Sequence, residues 1–337
     1  MKKTRIQDIA RSADVSPATV TRVLRGNGYV SAEKRELVLQ VAKELHYNFS
    51  QDTAEKGVPQ ILIFSPPSSP ESNWLFANIS ENICMEFQKI GWYSITYYAI
   101  QGSLNEIIRI IDSVQHLNLK GIIFNCLDFN EDLSAFRKLL TSLSIPVLMI
   151  ERFPDVFNLN KIMINAKEAT FLAVNHLYKY GHRKIAFFAL NNQQEVEISR
   201  IEGFNRAVQA MELEQSAHFM SITGYTKKDG LTAMESYAET YGLPTAIIAP
   251  DPVMVGISQY LYEHNLRIPD DVSLIGLDDS IASMMTPPLT SIAFPVRDIT
   301  YHTVQFFTEG KEKLHLSKTI SLSTYMIKRG SVAPPKE

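Results

Sequence analysis

Between Ser16 and Arg25 the chain gathers side chains able to touch phosphates and read base edges. In Ser16-Pro17-Ala18-Thr19-Val20-Thr21-Arg22-Val23-Leu24-Arg25, the apolar Val20, Val23 and Leu24 recur at helical spacing and turn inward with Val15. Ala18, Thr19, Thr21, Arg22 and Arg25 are left outward. Arg22 offers the two parallel donors that match O6 and N7 of guanine, while Ala18, Thr19 and Thr21 suit thymine methyls, base edges or phosphates. Thr4, Lys2, Lys3, Ser16 and Arg25 suit phosphates, and Ser16 equally suits an N-cap with Pro17 at the first helical position. Other chemistry is thin. None of the eight histidines has a partner at metal-ligand spacing, and Cys84 and Cys126 lie in apolar surroundings. Neither GxGxxG nor GxxxxGK[ST] occurs, so no metal or cofactor is expected.

The elements that must present the first group are three short helices. Ile6, Ile9, Ala10 and Ala13 fall at helical spacing, and Asp14 is a short polar residue tolerant of left-handed backbone. A second helix starts at Pro17 and ends at Gly26-Asn27-Gly28. Ser31 caps a third, Ala32 to Leu45, whose Leu37, Val38, Val41, Ala42 and Leu45 form the opposing apolar stripe. This is a helix-turn-helix plan. Residues 1–50 carry nine basic and five acidic side chains, net +4, within a chain of net charge −3, so the remaining residues carry −7. A basic head on an acidic body fits a phosphate-binding module attached to a body with another task.

Residues 48–59 read as a polar linker ending at Pro59. Strands are expected at Gln60–Ser65, Tyr93–Tyr98, Gly121–Asn125, Pro146–Ile150, Ile185–Leu190, His218–Thr223, Thr245–Ala249, Val272–Gly276 and Ile320–Met326, alternating with helical stretches. Continuous apolar strands of this kind imply parallel sheets covered by helices, and so many residues imply two α/β lobes with a cleft between them. The basic start Met1–Arg5 leads into Ile6-Gln7-Asp8, not an apolar segment, and no run approaches the ~18 apolar residues of a membrane span. With two cysteines only, a cytoplasmic protein without membrane partners is expected.

Thr4 to Leu24 with Val30–Arg35, His176–Ile185, Ser199–Phe204, Asp251–Gly256, Arg267–Asp278 and Pro288–Ile292 together resemble the LacI/GalR family of bacterial transcriptional regulators over essentially the whole chain. The resemblance implies a helix-turn-helix domain over 1–47, a hinge over 48–59, and a body like a periplasmic sugar-binding protein whose lobes are joined by three crossovers. One lobe would hold residues 60–160 plus about 293–318, the other 161–292 plus about 319–331. It further implies a homodimer on a pseudo-palindromic duplex operator, with DNA affinity controlled by a small effector, most often a sugar; family members also respond to nucleosides, purines or a phosphocarrier protein. The implied ligand-facing residues are Glu151, Arg200, Tyr225 and Asp278, with Trp74 and Phe76 on the opposing lobe.

Such a set suits a polyol, with charged groups for vicinal hydroxyls and aromatic faces for the C–H surface of a ring. Glu151 and Asp278 would also suit acid–base work on a glycoside, but regulators of this kind use carboxylates for binding, and no enzyme is expected. Asp251 reads as the N-cap of its helix. Departures from the family pattern are Phe49, Ser50 and Lys56 in the hinge, where an apolar wedge is usual, Pro250 before Asp251, and Glu151-Arg152 in place of Asp-Arg. Lys56 would then offer charge to the DNA in place of a wedge.

Overall fold

The computed structural model describes residues 6–25, 31–45, 57–67, 74–98, 103–126, 133–151, 159–192, 194–309 and 317–336. The chain divides into two compact units, Met1–Pro59 with Ile111–Asn118, and Gln60–Ile110 with Leu119–Glu337.

In the first unit, α1 (Ile6–Ser12), α2 (Pro17–Arg25) and α3 (Ala32–Glu44) enclose a core of Ile9, Ala10, Ala13, Val20, Val23, Val38, Val41 and Ala42. Asp14 takes φ 49°, the left-handed residue that lets the chain turn between α1 and α2. Leu37, expected in the stripe of α3, is 46% exposed. One position before Val38, it is rotated by about 100° from the face that Val38, Val41, Ala42 and Leu45 share. The hinge residues 48–56, with Phe49, Ser50 and Lys56, lie outside the described residues.

The second unit contains two six-stranded sheets. The first is built from β1 (Gln60–Ser65), β2 (Tyr93–Tyr98), β3 (Leu119–Asn125), β4 (Val147–Ile150), β5 (Asn160–Ile164) and β11 (Thr319–Leu322), in the order β11-β5-β4-β3-β1-β2 and parallel throughout. The second contains β6 (Ile185–Leu190), β7 (Ala217–Ile222), β8 (Ala246–Pro250), β9 (Ser273–Asp278), β10 (Thr290–Ala293) and β12 (Tyr325–Ile327), in the order β12-β10-β9-β8-β6-β7, with only β12 antiparallel. Helix α5 (Leu104–Val114) follows β2 and α6 (Leu133–Ser142) follows β3. Helices cover the strands: α4 (Trp74–Lys89) and α11 (Val296–Thr308) on the first sheet, and α7 (Ala166–Lys179), α8 (Glu195–Ala210), α9 (Lys227–Tyr241) and α10 (Asp251–Glu263) on the second. The chain crosses between sheets three times, after β5, after β10 and between β11 and β12.

Two lobe boundaries therefore move. β5 extends the first lobe to Ile164, and Thr319–Leu322, expected in the second lobe, pairs with β5 in the first. The apolar run Ile320–Met326 is two strands because its side chains serve different cores: Ile320 and Leu322 pack with Ile162 and Ile164, whereas Met326 packs with Ile292. β5 and β10 were not expected as strands. Asn160-Lys161 and Thr290-Ser291 make their openings polar, but Thr290 Oγ1 accepts from Arg329 N at 2.9 Å and Ser291 is tied by side-chain bonds, so β10 is buried without unmet polar groups.

Candidate functional site

The head's candidate face lies along α2. Ser16 Oγ accepts from Thr19 N at 3.1 Å and meets Thr19 Oγ1 at 2.9 Å, so Ser16 caps α2 while remaining exposed, as does Pro17. Thr21 Oγ1 donates to Pro17 O at 2.9 Å, which commits its proton to its own helix and leaves its methyl group and lone pairs for a partner. Ala18, Arg22 and Arg25 belong to α2, but their side chains, and all of Thr4 and Lys56, lie outside the described residues.

In the body, one cavity is lined by all six expected ligand residues: Trp74 and Phe76 on α4, Glu151 after β4, Arg200 on α8, Tyr225 before α9, and Asp278 at the end of β9. The carboxyl ends of parallel strands converge here, which is where open α/β sheets bind ligands. Trp74 is 41% exposed and so is not a core residue. Glu151 is buried with φ 51°, and its Oε1 accepts from Ile164 N at 2.5 Å, which fixes it to β5. Asp278 Oδ1 accepts from Ser280 N at 3.0 Å, holding the turn after β9.

Arg200 is buried, and its Nη1 donates to Tyr225 Oη at 3.1 Å and pairs with Glu197 Oε1 at 3.1 Å. The Tyr225 hydroxyl donates to that same Glu197 oxygen. Glu197 and Ser280 also line the cavity and were not anticipated. The only signal for Glu197 is its place three residues before Arg200 on one helix, where opposite charges meet.

Asp251 is the first residue of α10, and Pro250 holds the cap position, so the expected N-cap role is not what its carboxylate does. Fully buried, it reaches across the chain: Oδ2 accepts from Ile281 N at 3.2 Å and Ala282 N at 3.0 Å, and Oδ1 from Ser291 Oγ at 3.2 Å. Burial, and then the nearby charge of Asp278, push its carboxyl well above the usual carboxylate range. Gly276 on β9 makes room for it, since a Cβ there would stand 2.1 Å from Asp251 Oδ1. The next carboxylate along, Asp279, is gripped by both Arg329 nitrogens at 2.6 and 3.1 Å. These bonds brace the loop that carries Asp278 and Ser280.

His182 is structural: Nδ1 meets Thr245 Oγ1 at 3.0 Å and Nε2 meets Ala333 O at 2.9 Å, and burial lowers its pKa. Among the described residues no group of three metal-ligating side chains comes together, and no helix is long and apolar enough to cross a membrane.

Residues 5–49 match the model of bacterial regulatory proteins of the lacI family, and residues 174–332 match a periplasmic binding protein-like domain. The chain carries a lacI-family domain at its head and a periplasmic binding protein-like domain in its body. It is 28% identical over 336 residues to the NTD biosynthesis operon regulator NtdR of Bacillus subtilis (97% of this chain, 99% of the relative). It is 26% identical over 298 residues to the ribose operon repressor of Haemophilus influenzae (87% of this chain, 88% of the relative). The fold matches a lac repressor dimer bound to operator and the anti-inducer ONPF with a TM-score of 0.73, at 21% identity and over 98% of this chain and 100% of the other. A lacI-family head and regulators as relatives over most of its length make the chain a DNA-binding transcriptional regulator.

Proposed function

We propose that the protein is a repressor whose operator affinity is set by a sugar bound in the body's cavity. The observation that carries this reading is the lining: the polar Arg200, Tyr225 and Asp278 share one cavity with the aromatic Trp74 and Phe76. A relative that represses a ribose operon supports the same class. Arg22 reads a guanine, with Ala18, Thr19 and Thr21 beside it, and Thr4, Ser16, Pro17, Arg25 and Lys56 on the backbone. Two copies pair so that two heads meet a pseudo-palindrome, which multiplies affinity. In this reading the carboxylates of Glu151 and Asp278 hold the sugar through hydrogen bonds, with Glu151 Oε1 and Asp278 Oδ1 each fixed by a backbone N–H.

A thermal-shift panel of mono- and disaccharides against nucleosides tests the body, because a ligand at a hundred times its Kd stabilises the folded state by about 2.7 kcal/mol. A sugar is expected to raise Tm, and Asp278→Asn to abolish the rise. A nucleoside as the only stabiliser overturns the sugar assignment. For the head, Arg22→Ala is expected to cost about 1–3 kcal/mol at one base pair in a binding-site selection. Unchanged preference removes Arg22 from that role.

A further inference from the structure

The described lining of the cavity holds three carboxylates, Glu151, Glu197 and Asp278, against one guanidinium, Arg200. Glu197 is fully buried on the first turn of α8. Its Oε1 takes both Arg200 Nη1 and the Tyr225 hydroxyl, while its Oε2 is buried and has no hydrogen-bond partner among the described residues. Ser280 Oγ, on the same lining, is also buried and has no hydrogen-bond partner among the described residues. Folded proteins rarely leave such atoms unmet, and two on one cavity wall are what a site built for a hydrogen-bonding ligand shows when considered without it.

We propose that Glu197 is a specificity-determining residue. Its Oε2 accepts a hydrogen bond from a hydroxyl or amino group of the ligand, with Ser280 Oγ as the second polar contact. Its charge also offsets that of Arg200, so the cavity selects an uncharged or amine-bearing polyol and rejects the phosphorylated or carboxylated counterpart. The physical reason is local. An exposed arginine in a cleft would attract anions, but this one already holds a carboxylate, and an incoming anion would lie beside Glu197 and Asp278 in a poorly screened site. The inference rests on the cavity being the effector site.

Inorganic phosphate is a sufficient probe and does not require the natural effector. In the full-length protein at matched ionic strength, replacing chloride by phosphate is expected to raise the parent's Tm no more than that of Arg200→Gln, since both share the general stabilisation by an excluded salt and any phosphate bound at the head. It is expected to raise that of Glu197→Gln further, and the added change Arg200→Gln should abolish the excess. A phosphate response in the parent that Arg200→Gln removes overturns the proposal, as does a folded Glu197→Gln without the excess. Should Glu197→Gln not fold, the parent and Arg200→Gln still decide. Calorimetry of whichever sugar stabilises the parent adds the direct comparison: its phosphorylated form is expected to bind at least about tenfold more weakly. Equal binding sinks the charge filter while leaving the sugar assignment intact, whereas no stabilising sugar with phosphate behaving as expected sinks the sugar assignment alone.

Discussion

The head and the body hold their polar groups in opposite ways. In the head, eight small or medium apolar side chains form the whole described core, and Ser16 and Pro17 stand exposed on it. In the body, Glu151, Glu197, Arg200 and Asp251 are buried and bonded to one another or to neighbouring backbone. The difference follows from the partner. Duplex DNA brings its own charges and stays hydrated at its edges, so a reader needs exposed donors on a stiff helix. A small ligand must be drawn out of water, so its receptor needs polar groups already dry and aimed. The head should therefore be sensitive through its core and tolerant on its face, and the body sensitive at the site itself.

The largest expected effect is on the head's core. Ile9→Ala removes most of a fully buried side chain from a cluster with few others to relax into the space, and is expected to cost about 2–5 kcal/mol. A small domain has little more than that in reserve. Hydrogen exchange should show the amides of α1–α3 opening while those of β1, β3, β6 and β8 stay protected. Operator binding should fail while sugar-induced stabilisation of the body survives. Equal loss of protection in the sheets would show the two units to be one cooperative structure, and the comparison would fall.

Asp251 gives a smaller, pH-dependent effect in the body. Asp251→Asn puts an amide where two backbone N–H groups and Ser291 converge, and near pH 4 it should cost about 1–3 kcal/mol. The sign with pH follows from the raised carboxyl. A group favoured in its protonated form by folding contributes stability that is complete below its unfolded pKa of about 3.9 and is lost as pH rises through the folded value. The gap between parent and variant should thus narrow toward neutral pH in urea unfolding of both proteins. A gap that widens would mean that the three donors hold Asp251 ionised despite its burial.

What was legible in the chain divides along similar lines. Gln60–Ser65 and Ile185–Leu190 are strands residue for residue as expected, because strands buried on both faces leave an unbroken apolar run, and the half-exposed edge strand Tyr93–Tyr98 was readable from its aromatic and β-branched residues. β5, β10 and the split at Ser323-Thr324 were hidden, because there polar residues are satisfied by partners distant in sequence or the chain changes sheets. The site shows the same pattern. Asp14 and Ser16 act through neighbours a few positions away and were readable. Asp251 acts through partners thirty and forty residues away, and Glu197 and Ser280 through burial in the cavity wall, which spacing does not encode.

The smallest effect separates two roles of one residue at the head's surface. Ser16→Ala removes the cap on Thr19 N and should cost about 1 kcal/mol of head stability, read from the exchange of α2 amides. That result alone says nothing about DNA. Ser16→Asp decides it, since aspartate caps as well as serine but sets a negative charge where a phosphate would lie. If Ser16 touches the backbone of the operator, the Asp variant keeps its stability and loses affinity, and the loss shrinks as added salt screens the repulsion. If Ser16 serves only α2, the Ala variant is the weaker protein and the Asp variant binds within about twofold of the parent at every salt concentration. Gel-shift titrations of parent, Ala and Asp variants at low and high salt distinguish the two. The second outcome would move the phosphate contacts to Thr4, Arg25 and Lys56, and would leave the exposed end of α2 a structural feature, as the side-chain caps Asn165 and Thr226 are in the body.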